Sequence, residues 1–150
     1  MWLVAENKRV EYAEDIFTIT KKNDGRALSL LCPTKKIRSR GDQLNLSTIQ
    51  VDIEAAFDGV ISVEVTHFKG AQRRGPKFEL YPDARPAHAS NAGIKKSESG
   101  TTLTSGSLSA TVGHDQHSFD IRFHDSNDVS KEVTSLLNRS VFLAYSPATS

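Results

Sequence analysis

Alternation of apolar and polar residues with a period of two is the feature that most constrains the fold of this chain. In the stretch TIQVDIE, Ile49, Val51 and Ile53 fall on one face and polar residues fall on the other. Successive side chains of a strand point to opposite faces of its sheet, so this period indicates a strand with one buried face. The chain is therefore predicted to be built mainly of strands.

The same pattern recurs along the chain in DIFTIT, RALSLLC, GVISVEVTHF, SLSATV, HSFDIRFH and SVFLAYS. In GVISVEVTHF it predicts that Ile61, Val63 and Val65 face the core. Residues 23–25, Asn-Asp-Gly, lie between two of these stretches and predict a turn, because glycine accepts positive φ. Short strands separated by turns predict an all-β fold, a β-sandwich of antiparallel strands.

Two segments depart from this pattern. In SKEVTSLLN, Val133, Leu136 and Leu137 have the i, i+3, i+4 spacing of one helix face, which predicts a short helix. Between Ala84 and Gly106 the sequence turns to Ala, Ser, Gly, Thr and Asn, which predicts a long surface loop. No internal repeat is seen, and a length of 150 residues accommodates one domain with its own core.

Composition excludes several classes of function. The chain has 19 basic and 18 acidic side chains and a net charge of +1, so its overall charge favours neither nucleic acid nor a membrane surface as a partner. It also contains no apolar run near the ~20 residues of a membrane span. Cys32 is the only cysteine, which excludes an internal disulfide and a multi-cysteine zinc site. Its apolar neighbours in LSLLCPT predict a buried structural thiol.

The N-terminal stretch MWLVAENKRV has no basic region and few apolar residues, unlike a signal peptide, which favours a cytoplasmic location. Two sequons, at Asn45 and Asn138, would suit a secreted protein from which a leader had been removed. The chain ends at SPATS just after a predicted strand, and we expect it to be a fragment, a nicked piece or a natural subunit of something larger.

The stretch HFKGAQRRGPKFEL resembles a phosphate-binding loop in the spacing of Gly70 and Gly75. Such a loop requires lysine and then Ser or Thr directly after the second glycine, followed by a helix. Here Pro76 follows Gly75, Lys77 comes one place late, and KFELYPD alternates like a strand. We therefore predict a surface loop between two strands, in which Arg73 and Arg74 face solvent or a partner domain.

The histidines are the other candidates for chemistry. His114 and His117 have an H-x-x-H spacing and His124 follows, but the last two bracket a strand and point to opposite faces, which argues against a metal site. His67 ends a predicted strand and is interpreted as a half-buried structural residue. No G-x-S-x-G elbow and no pair of opposed carboxylates is evident. No complete active site and no cofactor are predicted.

Four stretches, in order, resemble the N-terminal domain of family-31 glycoside hydrolases, particularly the fungal members of the α-xylosidase branch. They are MWLV, KIRSRGDQLN (36–45), GVISVEVTHFKGAQRRGPKFELYP (59–82) and LTSGSLSATV (103–112). The third is similar to the family's G-V-I-x-V-x-x-x-H-[FW]-x-G run, and the ordered set is more specific than any single stretch. The sequence departs from the family at the hairpin of Gly25, at residues 85–102 and from Asn127 onward.

The resemblance implies a β-sandwich like that of galactose mutarotase, packed on a (β/α)8 barrel that carries both catalytic aspartates of a retaining enzyme. Those aspartates have no counterpart here. Residues 1–150 are therefore interpreted as a non-catalytic N-terminal domain of an α-xylosidase acting on oligosaccharides, with the barrel as partner in the same or a separate chain. The alternatives are the same domain of a family-31 α-glucosidase and a free-standing carbohydrate-binding or interaction module. Association with further copies of itself is left open.

The resemblance also implies three substrate-binding positions. Trp2 matches a tryptophan that approaches the aglycone subsite, where an indole can stack on a sugar. Asn45 matches a polar position of the same region, and Asp42 is a further candidate on the same loop. The alternatives are a core or interdomain anchor for Trp2 and a turn residue for Asn45. No catalytic and no metal-binding residue is predicted in this chain.

Overall fold

The structure is a computed structural model of the chain and describes residues 4–67, 91–113 and 118–147. Within these ranges the chain forms eleven strands, and its helical segments are two short 3₁₀ turns, Asn23–Gly25 and Arg40–Gln43. The strands are β1 Arg9–Tyr12, β2 Thr18–Lys22, β3 Ala27–Pro33, β4 Thr48–Phe57, β5 Val60–Thr66, β6 Ala92–Lys96, β7 Gly100–Ser105, β8 Leu108–Gly113, β9 Ile121–Asp125, β10 Asp128–Leu136 and β11 Phe142–Tyr145. The predicted all-β fold is confirmed.

The strands form two main sheets and one small one, all with antiparallel pairing. One sheet has four strands in the order β2-β3-β4-β5, and the other has five in the order β10-β9-β8-β7-β6. A two-stranded ribbon joins β1 to β11. One apolar cluster contains buried residues of both main sheets, which is the arrangement of a β-sandwich.

The inner faces follow the period of two in the sequence. In the four-stranded sheet, register places Leu30 of β3 opposite Val51 of β4, and both are fully buried. In the five-stranded sheet, Leu103 lies opposite Ala110, and these two are also fully buried. Complete burial of an aliphatic side chain contributes about 1.5–3 kcal/mol, so the apolar alternation supplies the main stabilisation of the sandwich.

The two sheets also meet where two hairpin turns approach each other. Gly59 ends the β4–β5 turn with φ 73°, and its N–H donates to the carbonyl of Ser105 at 3.1 Å. Gly106 starts the β7–β8 turn with φ 55°, and a Cβ atom there would lie 2.9 Å from the nitrogen of Gly59. Ser105 is buried and donates through Oγ to the carbonyl of Phe57 at 2.6 Å. The absence of a side chain at Gly106 allows this contact between the sheets.

Two predictions of secondary structure were wrong. The predicted helix SKEVTSLLN lies mostly in β10, which pairs with β9 and places Leu136 opposite Ile121. Of its three apolar residues, Val133 and Leu137 are exposed, so the helical spacing did not mark a buried face. The β-branched residues suit a strand, and pairing with a buried neighbour decides the outcome.

The predicted surface loop from Ala84 to Gly106 contains β6 and β7, two strands of the five-stranded sheet; its first residues, 84–90, lie outside the described ranges. Its small residues have a packing role. A Cβ atom at Gly100 would lie 2.6 Å from the carbonyl oxygen of Val112 on β8, so glycine permits the two strands to approach. Thr101 beside it is buried on the inner face.

The remaining strand predictions are confirmed where they fall on described residues, with one qualification of burial, and the strand predicted at KFELYPD lies outside them. Val63 and Val65 lie opposite Ile53 and Val51, as predicted for the inner face, but they are 37% and 45% exposed. β5 is an edge strand, so side chains on its inner face are covered from one side only.

The turn at residues 23–25 is also confirmed, with positive φ at all three residues. No helix in the described part of the chain is long and apolar enough to cross a membrane.

Candidate functional site

The loop that joins β3 to β4, residues 34–47, carries two of the three residues predicted to contact a sugar. We call it the β3–β4 loop. Its ends are held together at its stem, where the N–H of Thr34 donates to the carbonyl of Ser47 at 3.1 Å and the Thr34 hydroxyl lies 3.0 Å from the same oxygen. Thr34 is buried, so the stem is anchored to the body of the sandwich.

Asp42 organises the tip of this loop. Its Oδ2 accepts hydrogen bonds from the N–H groups of Arg38 (2.9 Å) and Ser39 (2.7 Å) and from the Ser39 hydroxyl (3.1 Å). Ser39 and Asp42 form a capping box around the 3₁₀ turn Arg40–Gln43. These donors favour the charged carboxylate, so the pKa of Asp42 lies below its ordinary value, chiefly through the N–H groups of Arg38 and then Ser39. This role was not predicted, although the spacing S-x-x-D from Ser39 to Asp42 is a signal from which it could have been.

Asn45 lies in a tight turn directly after the 3₁₀ segment. Its φ is 53°, in the left-handed region that Asn tolerates better than most residues, and it is exposed. The N–H of Leu44 donates to the carbonyl of Gly41 at 3.2 Å and closes the turn before it. Asn45 therefore has the conformation of a turn residue. Its contact with a sugar stays a prediction.

The structure thus brings Asp42 and Asn45 onto one surface loop. Trp2 lies outside the described residues, and its predicted stacking on a sugar stays a prediction. HFKGAQRRGPKFEL likewise lies outside the described ranges beyond His67, so its predicted role as a surface loop is also untested. His67 itself is exposed, not half-buried as predicted, and its Nδ1 lies 2.9 Å from the carbonyl of Thr48.

A cluster next to the loop stem was not predicted from the sequence. Glu11 of β1 accepts a hydrogen bond from the Tyr145 hydroxyl at 2.7 Å, and its other oxygen lies 3.2 Å from the Thr34 hydroxyl. Glu11 and Tyr145 are 134 residues apart in sequence. No local pattern in the sequence brings such residues together, so only the pairing of β1 with β11 reveals the cluster.

The structure provides no metal centre within the ranges that it describes: no group of three His, Cys, Asp or Glu residues there could hold an ion. His114 and His117 lie outside those ranges. His124 is half-buried on β9, and its Nδ1 is buried without a hydrogen-bond partner.

Cys32 is buried, and desolvation, followed by the charge of Asp15, raises the pKa of its thiol to about 12. The prediction of a structural thiol is confirmed, because such a group stays protonated near neutral pH.

One pair of carboxylates does face the same way. Register places Asp52 of β4 directly opposite Glu64 of β5, on the outer face of the four-stranded sheet. Asp52 is engaged by the Lys22 ammonium at 3.5 Å and by the Gln50 amide. An open depression of about 180 Å³ on this face is lined by Thr18, Thr20, Ser29, Leu30, Leu31 and Gln50, not by the two acids. The pair therefore lies on an open sheet surface and does not line that depression.

The chain is similar to two curated proteins over part of its length. It is 32% identical over 84 residues to an α-xylosidase of Emericella nidulans and 32% identical over 79 residues to α-xylosidase XylQ of Lactiplantibacillus pentosus. These segments cover 56% and 53% of the chain and 10% of each relative, so the chain spans about a tenth of the length of the relatives it matches. No protein-family model matches the chain. The two similarities support a glycosidase-related β-sandwich.

Proposed function

We propose that this chain is the N-terminal, non-catalytic β-sandwich domain of a family-31 α-xylosidase. The whole enzyme would release α-linked xylose from oligosaccharides with retention of configuration. A (β/α)8 barrel, in the same or a separate chain, would supply the catalytic aspartates, and this domain would wall the aglycone side of the active site. A fold like that of galactose mutarotase and a fungal-like branch are part of this proposal.

The similarity to two α-xylosidases from distant organisms carries the proposal. Two of the four family-like stretches also include strands of the sandwich that the structure describes. GVISVEV contains Gly59 and most of β5, and LTSGSLSATV spans the end of β7, the turn at Gly106 and most of β8. In both stretches a glycine with positive φ lies where the two hairpin turns touch, which gives a physical reason for these residues in a sandwich of this kind.

The carboxylates support a domain without chemistry of its own. A retaining glycosidase needs two carboxyl groups about 5–5.5 Å apart on either side of an enclosed sugar. The opposed pair Asp52 and Glu64 lies on an open sheet face. Lys22 and Gln50 engage Asp52 there, which favours a structural role. In this proposal Trp2, Asn45 and Asp42 contact the aglycone and the reaction takes place in the barrel.

The proposal is tested on the native protein, isolated from the organism that produces it. An antibody against this chain would be used to isolate all material that contains it, and the isolate would be assayed with 4-nitrophenyl α-D-xyloside and 4-nitrophenyl α-D-glucoside. We expect hydrolysis of the xyloside in preference to the glucoside. The purified 150-residue chain, assayed in parallel, should hydrolyse neither substrate.

Each other outcome decides between the alternatives. Preference for the glucoside would replace the α-xylosidase by an α-glucosidase. An isolate without glycosidase activity that contains only this chain would favour a free-standing module. Hydrolysis by the verified 150-residue chain alone would contradict the non-catalytic role. A native mass spectrum of the isolate would show in each case whether a larger partner chain is present.

A further inference from the structure

The stem of the β3–β4 loop is joined to both strands of the β1–β11 ribbon through one side chain. Glu11 lies on β1, opposite Leu143 of β11, and Tyr145 is two residues further along that strand. Such diagonal neighbours share a face of a two-stranded sheet and are within reach of long side chains. Leu143 packs against the apolar core, so this face of the ribbon points inward.

The carboxylate of Glu11 uses its two oxygens in different directions. Oε1 accepts from the Tyr145 hydroxyl at 2.7 Å, and Oε2 lies 3.2 Å from the Thr34 hydroxyl at the start of the loop. The Tyr145 hydroxyl, followed by the Ser47 hydroxyl at the other end of the loop, holds the pKa of Glu11 below its ordinary value. Hydrogen bonds to an ionised carboxylate are about twice as strong as neutral ones. The charged Glu11 therefore links Tyr145 of the ribbon to Thr34 at the start of the loop.

Beyond the stem the loop is organised by its own contacts. Asp42 gathers the N–H groups of Arg38 and Ser39, so the tip behaves as a preformed unit. The orientation of that unit relative to the sandwich is set at the stem, because the loop enters at Thr34 and leaves at Ser47. A change at the stem would therefore move the tip, with Asp42 and Asn45, as a body.

We propose that Glu11 and Tyr145 are positioning residues that orient the β3–β4 loop and thereby set the affinity of the enzyme for the aglycone sugar. This inference rests on the proposed function, in which the loop contacts the aglycone. Neither residue touches the substrate. Their effect reaches it through the angle at which the loop leaves the sandwich.

The experiment uses the complete protein that contains this chain. Tyr145→Phe removes the hydroxyl that binds Glu11 and keeps the ring. Tyr12→Phe is the matched control, because Tyr12 lies on the other face of the same ribbon, where its ring packs beside Phe142 at 5.9 Å between centroids. Each variant removes one hydroxyl oxygen from the ribbon, and only Tyr145→Phe removes a hydrogen bond to Glu11, the residue that contacts the loop stem. Glu11→Gln is the second test, since it keeps an acceptor oxygen and removes the charge.

Two measurements are made on every variant. Hydrogen exchange, followed by mass spectrometry, is compared between peptides of the β3–β4 loop and peptides of β7 in the core. Kinetics are measured with an α-xylosyl disaccharide, which has an aglycone sugar, and with α-xylosyl fluoride, which has none. A change in general stability would alter exchange in both regions and turnover of both substrates.

For Tyr145→Phe we expect faster exchange in the loop alone and a fall in kcat/KM for the disaccharide of about threefold to tenfold, the effect of one hydrogen bond. The fall should arise from KM, and kcat/KM for the fluoride should be unchanged. Glu11→Gln should change the same quantities in the same direction, and Tyr12→Phe should leave them unchanged. If Tyr145→Phe fails to fold, Glu11→Gln decides the question.

Contrary outcomes separate the two proposals. Loop exchange equal to that of the wild type in both Tyr145→Phe and Glu11→Gln would overturn the positioning role whatever the enzyme does. Faster loop exchange with unchanged kinetics for both substrates would overturn the link to the aglycone and leave the hydrolase intact. A wild-type protein that hydrolyses neither substrate would overturn the proposed function and the aglycone role together, while the exchange data would still decide whether Glu11 orients the loop.

Discussion

Asp42 carries out its observed role through three short hydrogen bonds to its own loop. The donors are the N–H groups of Arg38 and Ser39 and the Ser39 hydroxyl, all directed at Oδ2. A carboxylate in this position stabilises the local turn whether or not it also meets a sugar. The consequence for pH dependence can be tested separately from any ligand.

We expect Asp42→Asn to lower the melting temperature at neutral pH and to have little effect at strongly acidic pH. The pKa of Asp42 is lower in the folded than in the unfolded chain, so its charge stabilises the fold above the unfolded value of about 3.9. That contribution is lost as pH falls through the lower folded pKa, where the protonated acid resembles Asn. Thermal melts of both proteins between pH 7 and pH 2 check this. A difference that stays constant with pH would contradict it, and Leu44→Ala serves as a neutral control.

Gly106 should resist substitution by any residue with a side chain. Its φ is 55°, and an added Cβ would approach the backbone nitrogen of Gly59 to 2.9 Å. We expect Gly106→Ala to lower the free energy of unfolding by about 2 kcal/mol, the cost of a left-handed residue with a steric contact. Gly93→Ala is the control, because nothing lies within 4 Å of its added Cβ. Urea unfolding that shows equal effects for the two variants would contradict the role of Gly106.

Among the elements, β10 shows where local sequence is a poor guide. SKEVTSLLN has helical spacing, yet most of it forms the edge strand of the five-stranded sheet. Leu136 is the apolar residue of the pattern that packs against the core, through its place opposite Ile121 on β9. All nine residues of β10 are exposed or half-buried, so burial alone does not explain the strand. It forms because β9 offers backbone hydrogen bonds and a buried neighbour.

The sign of one substitution distinguishes a strand from a helix in this segment. Val133 is 60% exposed, so its replacement reports mainly on backbone preference. In a strand, Val133→Ala should lower the free energy of unfolding by up to about 1 kcal/mol, because Ala is disfavoured there. In a helix the same change would raise it by about 0.5 kcal/mol. Chemical denaturation decides between them, with Val133→Thr as a control that keeps the β-branch.

At the scale of the whole molecule, the sandwich depends on contact between the inner faces of its two sheets. Leu103 is fully buried and belongs to the cluster that contains residues of both sheets. We expect Leu103→Ala to lower the free energy of unfolding by about 2–5 kcal/mol, through lost burial and the cavity left behind. Leu44→Ala, at a site that is 74% exposed, should change it by less than about 0.5 kcal/mol. Similar midpoints for both variants in urea would contradict the position of the core.

The sequence by itself determined the class of the fold and the inward-facing residues of most strands. Each strand buries one face of its sheet, and successive side chains alternate between the two faces. The burial of a strand is therefore visible in adjacent residues of the sequence as a period of two. Local chemistry also determined the turn at residues 23–25 and the buried state of Cys32. The capping box of Asp42 is also a local feature, because Ser39 and Asp42 are only three residues apart, although the sequence had predicted only a sugar contact for Asp42.

The tertiary structure alone decided what depends on distant partners. β6 and β7 form where small residues predicted a loop, because Gly100 lets β7 approach β8 closely. β10 became a strand because β9 lies beside it, and Val63 and Val65 stay partly exposed because β5 is an edge. The Glu11 cluster joins residues 134 positions apart, which no local pattern encodes. These features depend on which strands lie beside each other. The free energy of the whole sandwich determines that arrangement, so residues close in sequence cannot reveal it.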